Sequence, residues 1–187
     1  IEPSFAYAYY NLGNILYELG RLKEAEISTR KAIEIKADFA EAHSNLGNTL
    51  YELGRLKEAE ISTRKAIKLK PDYEKAYYTL GSILKDLNRS KEAERSIHKC
   101  IQLNPSSSNY FHYASFLFER KMFDDSKQNL LKAKSLNRKD LEDYLLYAAE
   151  VSVNSAKEDS INSSNIDYSK KAKILTDKKF DRLILNR

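Results

Sequence analysis

The chain has little of what rigid or reactive chemistry needs. Its 187 residues include one cysteine, one methionine, three histidines and no tryptophan. A lone Cys100 excludes an intramolecular disulfide framework and points to a reducing compartment, so a cytoplasmic location is expected. No two of His, Cys, Asp and Glu recur at metal-ligand spacing in an apolar surround, and no glycine loop could cradle a phosphate. No catalytic residue, metal or cofactor is therefore expected. No apolar run approaches the roughly 18 residues that span a membrane, and no signal peptide opens the chain, so no membrane contact is expected. The net charge of +5 is small and sits late, with 7 basic against 3 acidic residues in 165–187 but 11 against 10 in 1–70. That balance gives no basic surface for nucleic acid.

What is abundant is repetition. Asn11 to Ile33, NLGNILYELGRLKEAEISTRKAI, returns 34 residues later as Asn45 to Ile67 with one change, Ile15 to Thr49. Self-similarity at this period marks a stacked array of helix pairs, each burying its apolar face against its neighbours. The fold class expected is all-α, an α-α superhelix (solenoid) of antiparallel helix pairs. The units are 6–39, 40–73, 74–106 and 107–140. Residues 1–5 resemble the tail of a preceding repeat, so the chain is expected to come from a longer array. A degenerate fifth unit covers 141–177, with a polar, protease-sensitive loop at 155–164. Residues 178–187 are a capping segment or the start of another domain.

In the first unit one helix is expected from Ala6 to Leu19 and a second from Leu22 to Lys36. The three prolines, Pro3, Pro71 and Pro105, share one column, the link between successive pairs, where a residue that cannot continue a helix is at home. Gly20 and Gly54 stand where the first helix ends, with Asn88 and Lys121 in the same column. Gly13, Gly47 and Gly81 lie inside first helices, where glycine costs about 1 kcal/mol relative to alanine; close helix approach is the compensating reason. That column continues as Ala114, so alanine is expected to be tolerated at Gly81. Further small columns are Ala25, Ala59, Ala93, Ser126 and Ala32, Ala66, Cys100, Ala133. Larger knobs, Leu12, Leu46, Leu80, Tyr113 and Leu16, Leu50, Leu84, Leu117, fill the core between them.

These small columns, the proline near the unit end and the 34-residue length resemble the tetratricopeptide repeat (TPR) family over 6–140. The resemblance implies a right-handed superhelix whose first helices line a concave groove for peptides.

The 100° step per residue fixes the face opposite the core columns. It carries Tyr10, Asn11, Asn14, Tyr17 and Glu18 in the first unit, then Ser44, Asn45, Asn48, Tyr51 and Glu52 in the second. Lys75, Tyr78, Thr79, Ser82 and Asp86 follow in the third. Stacking turns them into stripes: amide to hydroxyl, aromatic, and acidic. Asparagine offers donors and an acceptor on one short amide, which suits the backbone of an extended peptide; tyrosine adds rigid area with a polar tip. The rows Asn11 with Asn45 and Asn14 with Asn48 resemble the asparagine ladder in the TPR superhelix of O-linked N-acetylglucosamine transferases. Asn14, Asn45 and Lys75 also match part of the chaperone-binding carboxylate clamp. Tyr10 and Thr79 stand where that clamp needs a lysine and an arginine, which excludes it.

The function expected is a protein-interaction scaffold gripping an extended peptide or partner segment through Tyr10, Asn11, Asn14, Tyr17, Asn45, Asn48, Tyr51, Lys75, Tyr78 and Ser82. One alternative is the recognition arm of a larger enzyme whose catalytic domain lies outside this chain. Another is that the polar stripe is simple solvation. An RNA-reading helical repeat is disfavoured by the acidic stripe, since phosphate needs a basic groove. The sequence assigns no oligomeric state.

Overall fold

A computed structural model describes residues 3–136, and among these residues there are eight α-helices and no strand. They are α1 (Pro3–Glu18), α2 (Leu22–Ile35), α3 (Ala40–Glu52), α4 (Leu56–Leu69), α5 (Glu74–Asp86), α6 (Ser90–Leu103), α7 (Ser107–Glu119) and α8 (Phe123–Leu136). The expected fifth unit, the loop 155–164 and the segment 178–187 lie outside the described residues. The chain divides at Asn104/Pro105 into two compact units, the first holding α1–α6 and the second α7 and α8.

Each pair turns in the same way. The Gly20 N–H donates to the Tyr17 carbonyl and the Arg21 N–H to that of Leu16, both at 2.9 Å. These two bonds satisfy carbonyls left open at the end of α1, and they require a left-handed residue at Gly20, whose φ is +74°. The motif recurs at Gly54, Asn88 and Lys121; the last two hold φ of 59° and 61° without being glycine. Helices α1 and α2 end one residue before the expected Leu19 and Lys36, and one start differs by more. Helix α1 begins at Pro3 rather than Ala6, because proline lacks only an N–H that a first helical turn leaves unpaired anyway.

The interior glycines seat the first helix on the second. A β-carbon on Gly13 would meet Thr29 Oγ1 at 2.5 Å, and one on Gly47 would run into Thr63 Oγ1. At Gly81 it would lie 2.8 Å from Ile97 Cγ1. Alanine therefore does not fit at Gly81 without movement of Ile97, contrary to expectation. Ala25, Ala32, Ala59, Ala66, Ala93 and Cys100 are buried as their columns require. Burial pushes the Cys100 thiol up to about 12, a packing role rather than a nucleophile's. Leu16, Leu46, Leu50, Leu80 and Leu84 are buried, and each buried side chain of this size contributes about 1.5–3 kcal/mol. Leu12, expected in the core, is exposed, because no described helix covers that side of α1.

In the second unit Ala114 and Leu130 form the contact between α7 and α8, with Phe111, Phe118 and Phe123 packed around it. The buried Ser126 hydroxyl donates to the Ala114 carbonyl at 2.8 Å.

Candidate functional site

Within the first unit the first helices approach one another directly, α1 to α3 and α3 to α5, whereas the second helices meet more sparsely. The side lined by α1, α3 and α5 is thus the crowded, inner side of the stack. It carries the polar stripes, and its residues do not behave alike.

Asn14 and Asn45, both half-buried, are joined: the Asn45 side-chain amide donates to Asn14 Oδ1 across the boundary between pairs. Asn48 and Thr79 repeat the link one pair later, with Thr79 Oγ1 donating to Asn48 Oδ1 at 2.5 Å. The bonding partners are therefore 31 residues apart and run diagonally. The expected rows of equivalent residues, Asn11 with Asn45 and Asn14 with Asn48, do not bond along the row. The physical reason is stagger: a first helix rises about one turn relative to its neighbour, so a side chain meets the residue three positions short of its own equivalent. Thr79, although buried, is a member of this ladder, and its hydroxyl also lies 3.1 Å from the Lys75 carbonyl. Ser44 is buried too and lies beneath the groove surface instead of lining it.

The aromatic and acidic stripes are also joined, but at 35 residues, one position beyond the equivalent residue rather than three short of it. The Tyr51 hydroxyl donates to Asp86 Oδ2 at 2.8 Å, from the second pair to the third. Tyr10 packs its ring 4.9 Å from that of Phe39 and so belongs to the interior as much as to the groove. Asn11 and Lys75 are exposed; Tyr17, Tyr78 and Ser82 are half-buried, with the Ser82 hydroxyl donating to the Tyr78 carbonyl at 3.4 Å.

A second set of links was not anticipated. Lys36 at the end of α2 donates to the Tyr7 hydroxyl at 3.0 Å, and Lys70 at the end of α4 pairs with Glu41 at 3.1 Å. On the outer side Glu26 accepts from Arg55 of the next pair at 2.8 Å and pairs with Arg30 of its own helix. Glu60 does the same with Arg89 and Arg64. The i, i+4 halves of these clamps, Glu26 with Arg30 and Glu60 with Arg64, follow from helix spacing alone. The signal for the rest was the arginine repeated at the turn column, Arg21, Arg55 and Arg89. Hydrogen bonds from Arg55 and Arg89 hold the Glu58 and Glu92 carboxyls below their ordinary range.

Among the described residues no group of His, Cys, Asp and Glu could hold a metal ion, and no helix is long and apolar enough to cross a membrane. His43 is half-buried with Nε2 3.0 Å from the Ala37 carbonyl, and burial lowers its pKa.

A comparison with curated proteins finds no match. Among solved structures the chain is similar to "Crystal structure of MamA", at 22% identity and a TM-score of 0.66 over 74% of this chain and 82% of that one. It is also similar to "YrrB: a TPR protein with an unusual peptide-binding site", at 22% identity and 0.63 over 95% and 90%. A third likeness is to the first TPR of Spaghetti (RPAP3) bound to an HSP90 peptide, at 22% identity and 0.55 over 56% and 83%. At this identity the likeness shows a shared fold, an all-α helical solenoid. The TPR repeat family matches residues 13–54, and tetratricopeptide repeat families match 40–73 and 74–107. These matches together cover more than half of the chain, which belongs to the tetratricopeptide repeat family.

Proposed function

We propose that this protein is an interaction scaffold whose α1, α3 and α5 hold an extended segment of a protein partner along their inner face. The observation that carries the reading is the diagonal ladder of Asn14 with Asn45 and Asn48 with Thr79. Each link engages an asparagine by its oxygen, and the amide N–H groups of Asn14 and Asn48 make no hydrogen bond among the described residues. An extended backbone presents carbonyls that such donors satisfy, independent of its side chains. Tyr17, Tyr51 and Tyr78 flank the ladder and offer rigid apolar area for the ligand's side chains. The similar structures described above as peptide-bound or peptide-binding lend support by analogy of fold.

The role proposed is binding without catalysis. Cys100 is buried with its thiol at about 12, and among the acids of the face Asp86 is engaged by Tyr51 and Glu41 by Lys70. Nucleic acid is a poor ligand for a face bearing Glu18, Glu52 and Asp86.

A test is to select peptides from a library of extended sequences and record side-chain amide NMR signals of the full chain on titration. The Asn14 and Asn48 NH2 signals are expected to shift most. Shifts confined to α2 and α4 would place the ligand on the outer face instead.

A further inference from the structure

The outer side of α2, α4 and α6 holds more positive charge than its ion pairs consume. Residues 21–34, 55–68 and 89–102 contain thirteen basic and seven acidic side chains. Five of the acids, Glu24, Glu26, Glu58, Glu60 and Glu92, are engaged by arginines of the same helices and turns. The lysines have no such partners. Lys23 and Lys31 on α2, Lys57 and Lys65 on α4, and Lys91 and Lys99 on α6 are exposed and make no ion pair among the described residues. They stand in two columns, Lys23 with Lys57 and Lys91, and Lys31 with Lys65 and Lys99.

Between the two columns lies an apolar one. Ile27 is 57% exposed and Ile61 70%. Steps of four residues set Lys23, Ile27 and Lys31 on one face of α2, and Lys57, Ile61 and Lys65 on one face of α4. In α6 the same column holds Arg95, exposed and without an ion pair among the described residues. Helix α6 departs from α4 at Ser90, Arg95, Ile97, His98, Cys100 and Gln102, yet it keeps both lysines. A single exposed isoleucine is ordinary on a protein surface, but an apolar row bracketed by two cationic rows has a specific complement. The two lysines of one helix are separated by about 12 Å at the α-helical rise, which matches the diameter of a helix with its side chains, about 10–12 Å.

We infer that this outer face docks an acidic amphipathic helix of a protein partner, laid across α2, α4 and α6 between the lysine rows. The partner's apolar stripe rests on Ile27 and Ile61, and carboxylates along both of its flanks meet the lysines. Arg95 sets the direction, because the end of the stripe that crosses α6 must carry an acid where the rest carries apolar residues. Nucleic acid is a poorer occupant, since its phosphates suit the lysines but nothing on its backbone suits the isoleucines. An anionic bilayer is poorer too. Its headgroups would press against Glu58 and Glu92, which their arginines hold ionised. The site is built from second helices, whereas the asparagine ladder is built from first helices, so the two stand or fall separately.

The test titrates the full chain with a helix-forming synthetic peptide that bears a leucine stripe flanked on both sides by glutamates. Binding is expected at low salt and weakens as salt rises. Lys57→Glu with Lys65→Glu lowers the affinity by about tenfold or more, and a lysine-flanked version of the peptide binds this variant better than it binds the parent. Ile27→Ser with Ile61→Ser also weakens binding, and these exposed substitutions leave the circular dichroism unchanged. Asn14→Ala with Asn48→Ala leaves the affinity for this peptide as it was. Equal affinity of the parent and the Lys57/Lys65 variant would overturn the inference. So would loss of this peptide in the asparagine variant, or tighter binding to phosphatidylserine vesicles or a single-stranded oligonucleotide than to the peptide.

Discussion

A β-carbon on Gly81 would lie 2.8 Å from Cγ1 of Ile97, inside the distance at which such atoms pack. In the fourth pair Ala114 takes the glycine's place and Leu130 that of Ile97. Leucine branches one carbon later, which leaves room beside its β-carbon. Gly81→Ala is thus expected to destabilise by about 1–3 kcal/mol through overpacking. Adding Ile97→Leu should recover most of that loss. Chemical denaturation of the two variants checks the pair; a double variant no more stable than the single one would refute the contact.

The left-handed turn residue separates backbone strain from packing. Nothing lies within 4 Å of a β-carbon placed on Gly54, so Gly54→Ala should cost only the conformational penalty, about 1–2 kcal/mol. Lys121 already bears that penalty at φ 61°. Lys121→Gly is expected to raise the melting temperature, measured by circular dichroism.

The outer clamps have a pH signature. Arginine hydrogen bonds depress Glu58 and Glu92 in the folded chain, so the unfolded chain takes up protons on these groups first as pH falls. Their stabilisation is present above the ordinary glutamate value of about 4.3 and is lost as pH drops through the depressed native values. The part of the melting temperature owed to these glutamates should hold between about pH 7 and pH 5 and decline below that range. His43, whose pKa burial lowers, adds a separate loss that begins below the ordinary histidine value of about 6.5. Salt should lower it as well, because the pairs are exposed and screening acts over about 10 Å at 0.1 M. Glu26→Gln, which removes the charge shared by Arg30 and Arg55, should weaken the salt dependence in melts from 20 mM to 1 M salt, about the range over which screening changes most.

The helices and their turns were legible because periodicity and small-residue columns act locally: Gly20, Gly54 and Asn88 sit at helix ends as read. The pairing across pairs was not. Asn14 finds Asn45, and Glu26 finds Arg55, because neighbouring helices are staggered, and no column of equivalent residues encodes a stagger. Leu12 was placed in the core from its column alone, although burial there depends on a helix in front of α1. Ser44 and Thr79 were placed on the groove by angle, but the close approach of α1, α3 and α5 buries them.

The central claim is that the asparagine ladder holds a peptide backbone, and affinity for one library-selected peptide tests it most directly. Asn11, Asn14, Asn45 and Asn48 are replaced together by alanine, and the comparison variant replaces Ile27, Ile61 and Lys65, exposed on the second helices. Losing two links across pairs should lower the ladder variant's melting point modestly, since each hydrogen bond contributes about 0.5–1.5 kcal/mol. Its affinity for the peptide should fall by about a hundredfold or more, as several such bonds to the ligand disappear together. The outer-face variant should bind as the parent does. Retained binding in the folded ladder variant, with binding lost in the outer-face variant, would contradict the account.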